Sequence, residues 1–191
     1  MVARKQLLTI MAEEMDRNLH TLELISSELT KAGLLQAKGH GLYALPVTPQ
    51  ACLRLFLGVV GSEKYSGAVM AVKRLSQCQE SSKGMTLAQY LDEIFFFEGL
   101  AEKVQEIWVC RTFPEVEISF KETPAETTIE GEFPAEPAFT VTFRLPEGYH
   151  DEFGEIRRPG LNTWAVVDGK VIYKMALAVE SGDWSRPGIT G

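Results

Sequence analysis

Residues 1–60 constrain this chain most: two short apolar runs at helical spacing, joined by a polar break and closed by a glycine. Leu7, Met11 and Met15 recur every four residues, with Leu8 beside them, which predicts a helix over about 3–15. Asp16-Arg17-Asn18 is a polar turn. Leu22, Ile25 and Leu29 then share one face, with Leu24 flanking, which predicts a second helix over about 20–32. Thr21 or His20 stands near its start, and Gly33 is placed as a C-cap glycine. Leu34-Leu35 would return the chain to the core. A loop or short hairpin runs from Lys38 to Pro46, with glycines at 39 and 41. Thr48-Pro49 is a helix start, a capping hydroxyl followed by proline at the first helical position. Such a pattern folds as a helix-turn-helix or as an ordinary helical hairpin with a solvated polar face.

Leu53, Phe56, Leu57 and Val60 continue the third helix, and Val69, Val72 and Leu75 predict another over about 66–77. Ser81-Ser82-Lys83-Gly84 reads as a linker. Thr86 opens a further helix carrying Leu87, Tyr90, Leu91, Ile94 and Phe95. From about residue 104 the period changes to that of strands. Ile107-Trp108-Val109-Cys110, Val116 to Phe120 and Phe139 to Phe143 are β-rich or strictly alternating. The acidic, Pro/Thr-rich stretch from Lys121 to Pro137 reads as an exposed loop. Asp168-Gly169 between apolar runs predicts a hairpin over 164–173, with a helix over Lys170–Val179 as the alternative. The expected fold class is α+β. A helix-turn-helix domain covers about 1–80, a mixed helix and antiparallel-sheet domain about 85–180, and a tail 181–191.

The net charge of −7 argues against a generally basic nucleic-acid coat protein. The charge is uneven, however. Residues 1–60 hold six Lys/Arg and five acids, and the remainder holds 13 basic and 21 acidic residues. Cys52, Cys78 and Cys110 form no CxxC pair and no zinc spacing, which reads as reduced thiols in a cytosolic protein. No apolar run reaches the roughly 18 residues that a membrane span requires. Glu13, Glu14 and Asp16 interrupt anything that would serve as the apolar part of a signal peptide. A cytoplasmic location, in a bacterial host cell, is the expectation.

The chemistry suggested by residues 1–60 is recognition of double-stranded DNA. A short second helix held by a first one can enter a major groove about 12 Å wide. Glu23, Ser26, Ser27, Thr30 and Lys31 are read as pointing away from the Leu22/Ile25/Leu29 face. Serine and threonine hydroxyls can bond phosphates or base edges, and Lys31 can meet phosphate or guanine. Arg4 and Lys5, at the start of the first helix, would hold phosphates. Lys38 and His40 would reach the neighbouring backbone like a wing, with Gly39 and Gly41 letting the main chain approach closely.

The run Glu28-Leu29-Thr30-Lys31-Ala32-Gly33-Leu34-Leu35, then Lys38-Gly39-His40-Gly41, then Val47-Thr48-Pro49-Gln50, resembles small prophage-encoded helix-turn-helix proteins. In these an LxxAGLL helix end precedes a glycine-rich basic loop and a Thr-Pro helix start. The resemblance covers about a third of the chain. It implies a winged-helix-like DNA-binding unit in a phage or mobile-element protein.

Other sites are weakly marked. His150-Asp151-Glu152 reads as a solvated turn, Cys110 beside Trp108 as a buried thiol, and Arg157-Arg158 as a surface turn. There is no GxSxG, P-loop or GxGxxG, so neither catalysis nor a cofactor is expected. Phe95-Phe96-Phe97 cannot all face one side of a helix, which suggests either an interface in a homo-oligomer or burial by the C-terminal sheet. The favoured function is a DNA-binding regulator of phage or prophage type. One alternative is a protein-interaction or anti-defence inhibitor whose acidic C-terminal domain binds a protein partner. Another is a small-terminase-like DNA-packaging recognition subunit.

Overall fold

The structure is a computed structural model. It describes residues 3–36, 47–80, 84–96, 98–123, 126–128, 131–133, 135–147, 149–151, 154–155 and 162–181. Helix α1 spans Arg4–Glu14 and α2 spans Leu19–Lys31. The reversal between them is tight because Asp16 takes a left-handed φ of 48°. The Arg17 amide then donates to the Ala12 carbonyl at 2.9 Å, the six-to-one bond of a Schellman motif. Asn18 caps α2 through its side-chain oxygen, which accepts from the His20 and Thr21 amides. The far end of α2 closes in the same way. Gly33 sits at φ 73°, its amide donates to Thr30 O at 3.0 Å, and the Leu34 amide donates to Leu29 O at 2.9 Å.

Helix α3 spans Pro49–Val60, capped by Thr48, whose hydroxyl accepts the Ala51 amide at 3.1 Å. It is buried on nearly all sides, from Cys52 and Leu53 to Val60, so it forms the axis of the core. A 3₁₀ turn at Tyr65–Gly67 leads into α4, Ala68–Leu75, so this helix is shorter than its apolar spacing predicts. Strand β1 is Gln79–Glu80. Helix α5, Leu87–Phe96, opens on a reciprocal cap. The Gln89 amide donates to the Thr86 hydroxyl at 3.3 Å, and the Thr86 amide donates to Gln89 Oε1 at 2.9 Å. Helix α6, Glu98–Lys103, follows.

The strands are β2 Val104–Cys110, β3 Glu115–Phe120, β4 Glu126–Thr128, β5 Gly131–Phe133, β6 Phe139–Arg144, β7 His150–Asp151, β8 Gly154–Glu155 and β9 Trp164–Asp168. A five-stranded antiparallel sheet runs β1-β6-β3-β2-β9, with β4-β5 and β7-β8 as separate two-stranded hairpins. The fold is therefore α+β. The β4-β5 hairpin lies inside the stretch whose composition reads as a loop, where cross-strand pairing outweighs a weak local preference.

Alternation divides the sheet into two faces. Ile107, Ile118, Val141 and Val167 stand opposite one another across neighbouring strands on the inner face, as do Val109, Val116 and Phe143. All of these belong to the core or pack against it. The outer face carries the row Thr142, Glu117, Trp108 and Val166. One apolar cluster runs from Leu7 of α1 to Val179 near the C-terminus, so helices and sheet share a core. Phe95 belongs to it and meets Phe56 of α3 edge-on at 6.0 Å, which places this aromatic in the interior rather than at an interface. Phe97 and the side chain of Phe96 lie outside the described residues.

The hairpin expected at Asp168-Gly169 is replaced by a helix, α7, Gly169–Ser181. Asp168 Oδ1 accepts the Lys170 amide at 2.8 Å and so serves as an N-cap instead of a turn residue. Ile172, Met175, Ala176 and Val179 are buried at helical spacing, against α1, α5, α6 and the sheet. Each large member of that stripe contributes roughly 1.5–3 kcal/mol on burial, which the alternating pattern of a strand would forgo. Ser181, expected to begin the tail, ends α7, and 182–191 lie outside the described residues.

Candidate nucleic-acid interface

Helix α2 advances about 100° per residue, so Leu22, Ile25 and Leu29 define its inner face and His20, Leu24, Ser27 and Lys31 its outer stripe. The inner set is fully buried. Along the stripe His20 and Lys31 are exposed, and Leu24 and Ser27 are half-buried. The flanks of α2 are packed by α1, α3, α4 and the 3₁₀ turn. That turn brings the half-exposed Tyr65 to the Lys31 end of the stripe.

The expected contacts distribute unevenly over this surface. Lys31 is at the surface, 2.7 Å from Glu28 Oε1, and this hydrogen bond and charge hold the ammonium's pKa above the ordinary lysine value. Ser27 and Lys5 are accessible. Ser26 is not. It is fully buried, about 40° from Leu22 on the helix wheel, so it belongs to the packed flank and meets no outside partner. Its hydroxyl has no hydrogen-bond partner among the described residues.

Thr30 is committed internally. Its hydroxyl donates to Ser26 O at 2.7 Å and accepts from Arg4 Nη1 at 3.1 Å. Arg4 also donates to Gln36 O at 2.6 Å, and its partial burial lowers its pKa. Arg4 and Thr30 thus fasten the start of α1 to the end of α2. Lys38 and His40 lie outside the described residues.

Other arginines do similar work. Arg54 Nη1 donates to Leu34 O at 2.7 Å, holding the chain that leaves α2. Arg17 Nη2 reaches Val59 O and Ser62 O, each at 3.3 Å, and Arg111 Nε reaches Val60 O at 3.0 Å. Two guanidinium groups therefore satisfy the end of α3, where its carbonyls and dipole favour cations. The pKa of Arg111 is lowered by burial first and by Arg17 second, and Glu63 at 3.7 Å opposes both. Beside this pair a cleft of about 480 Å³ opens between the 61–75 segment and the β2–β3 turn, with Lys64, Ser66, Arg74, Arg111 and Thr112 on its walls.

Sequence reasoning passed over the other exposed surface, the outer face of the sheet. Trp108 is 38% and Val166 50% exposed. The Trp108 indole donates to Glu106 Oε2 at 2.9 Å and meets the Trp164 ring edge-on at 6.5 Å. The available signal was alternation: Trp108 stands between the inward residues Ile107 and Val109.

Cys52, Cys78 and Cys110 are buried and free. Burial pushes the Cys52 thiol well up, and burial followed by the Glu115 charge pushes Cys78 up to about 12. Such thiols are poor nucleophiles at neutral pH. Among the described residues no group of His, Cys, Asp and Glu is arranged to hold a metal ion, and no helix is long and apolar enough to cross a membrane. No protein family, curated protein or solved structure matches the chain.

Proposed function

We propose that this chain is a double-stranded-DNA-binding protein, a transcriptional regulator of phage or prophage type that enters the major groove with α2. The observation that carries this reading is the stripe of His20, Leu24, Ser27 and Lys31, which faces away from the core along the length of α2. A helix of 13 residues is about 20 Å long, enough to lie along several base pairs. The resemblance of the N-terminal third of the chain to prophage helix-turn-helix proteins, carried by the runs 28–35, 38–41 and 47–50, supports the same reading. Arg4, Arg17 and Arg54 are occupied by carbonyls, so phosphate neutralisation falls to Lys5 and Lys31 on the described surface, and to Lys38 and His40, which lie outside the described residues. A homo-oligomer multiplies these few contacts, and affinity built on few phosphate contacts has a shallow salt dependence per protomer.

The test is fluorescence anisotropy with a duplex from the region upstream of the chain's own coding sequence and a scrambled duplex, across a salt series. Binding should favour the upstream duplex and weaken with salt. Lys31→Ala should lower the salt slope by about one per bound protomer, while Ser26→Ala leaves it unchanged. Absence of binding to either duplex at low salt would overturn the reading.

A further inference from the structure

We infer that the outer face of the five-stranded sheet is a docking surface for a basic protein segment, one that presents arginine or lysine side chains. This rests on observations separate from α2. Trp108 and Val166 stand directly opposite each other on β2 and β9, and Trp164 packs on the edge of Trp108. In the two rows that hold Trp108 and Glu106 every charged residue is an acid, and the one cation in the Trp164 row, Arg144, is already ion-paired to Glu115. Glu117 is opposite Trp108 on β3, and Glu106 is opposite Asp168 in the next row. Thr142, Ser119 and Thr140 complete those rows, and neither row holds a lysine or an arginine.

An aromatic centre flanked by carboxylates selects its occupant by charge. A guanidinium or ammonium group stacks over an indole face and pairs with a neighbouring carboxylate, and the two attractions reinforce each other. The Glu106 bond to the Trp108 indole fixes the ring before anything binds, which lowers the ordering cost of association. A nucleic acid fits poorly, because its phosphates would meet Glu106, Glu117 and Asp168. A second copy of the same face would bring like charges together. The net charge of residues 61–191, 13 basic against 21 acidic, steers a cationic partner toward this part of the chain.

The experiment uses the full chain labelled with ¹⁵N. The Trp108 indole N–H resonance is assigned by its absence in Trp108→Phe. A synthetic peptide of six arginines spaced by serines is titrated in, with a hexaglutamate peptide and a (dT)12 oligonucleotide in parallel. The arginine peptide should shift the Trp108 indole resonance saturably. Its affinity should fall at least tenfold in Glu117→Lys and in 0.5 M salt, and should be unchanged in Lys31→Ala, which separates this face from α2. The wild-type salt dependence serves as a second measurement that needs no variant to fold. Failure of the arginine peptide to shift the resonance, or equal affinity in Glu117→Lys, would overturn the inference. So would tighter binding of (dT)12, or a dimer mass by light scattering that reverts to monomer in Glu117→Lys.

Discussion

The Lys174 ammonium lies 2.6 Å from a Glu14 carboxylate oxygen, so α7 is ion-paired to α1. The two side chains are 41% and 28% exposed, and α1 and α7 pack directly beside them. Partial screening keeps such a pair modest. A double-mutant cycle with Glu14→Gln and Lys174→Met should give a coupling of about 0.5–1 kcal/mol, reduced in 0.5 M salt. A coupling of zero would mean that apolar packing alone joins the two helices.

At the other end of α7, Asp168 and Gly169 decide how the chain leaves the sheet. Removing the cap with Asp168→Ala should lower stability by about 1 kcal/mol. Gly169→Ala should cost more than that. A Cβ at 169 would collide with the Val104 carbonyl oxygen, a backbone atom that cannot swing aside. Urea unfolding of the two variants orders them. A Gly169→Ala protein as stable as wild type would show that β2 and α7 are not in close contact there.

Ser26 offers a test with the opposite sign. Its hydroxyl is buried without a partner among the described residues, so Ser26→Ala removes a desolvated polar group and leaves the methyl-sized volume filled. Stability should rise by about 1 kcal/mol, and on the proposed DNA-binding reading the affinity should not change. A loss of stability would reveal a hydrogen bond to Ser26 in solution. A loss of DNA binding at unchanged stability would return this residue to the interface.

Much of this architecture is legible in the sequence because helix ends are local events. Gly33, Thr48-Pro49 and Thr86 act within a few residues, and each marks a boundary in the fold. Alternation in β2, β3 and β6 is equally local. Asp168-Gly169 is ambiguous for a physical reason: the same dipeptide can turn a hairpin or cap a helix. The choice depends on whether residues 170–179 find partners at a period of two or of 3.6, and those partners on α1, α5 and α6 are distant in sequence. Arg4 was illegible in the same way, since its guanidinium is claimed by Gln36 O, 32 residues away. Ser26 is different. Its angular position, about 40° from Leu22, was available from the helix wheel, and its polar character obscured it. The Trp108 face was legible as alternation, but its acidic surround needed the register of β3 and β9.

Buried thiols give the fold a defined alkaline weakness. Cys52 and Cys78 stay protonated in the folded chain well above the ordinary thiol value of 9.0, Cys78 up to about 12, because burial penalises the thiolate. In the unfolded chain both lose their protons near the ordinary value. Above about pH 9 the unfolded state therefore binds fewer protons than the folded state, and stability falls as pH rises. The contribution of neutral thiols is fully present below pH 9, and for Cys78 it is lost progressively toward pH 12. Each thiol can add a slope of up to about 1.4 kcal/mol per pH unit in that window. Lysines and tyrosines titrate in the same range, so the decisive comparison is with Cys78→Ala. Urea midpoints at pH 8 and pH 10.5 should fall more steeply for wild type than for this variant, by the share of one thiol. The Cys78 sulfur donates to Pro114 O at 3.3 Å, so the variant also loses a contact and should be less stable at pH 8. Parallel slopes for the two proteins would show that Cys78 ionises in the folded state, and hence that water reaches the space between α4 and the β2–β3 turn.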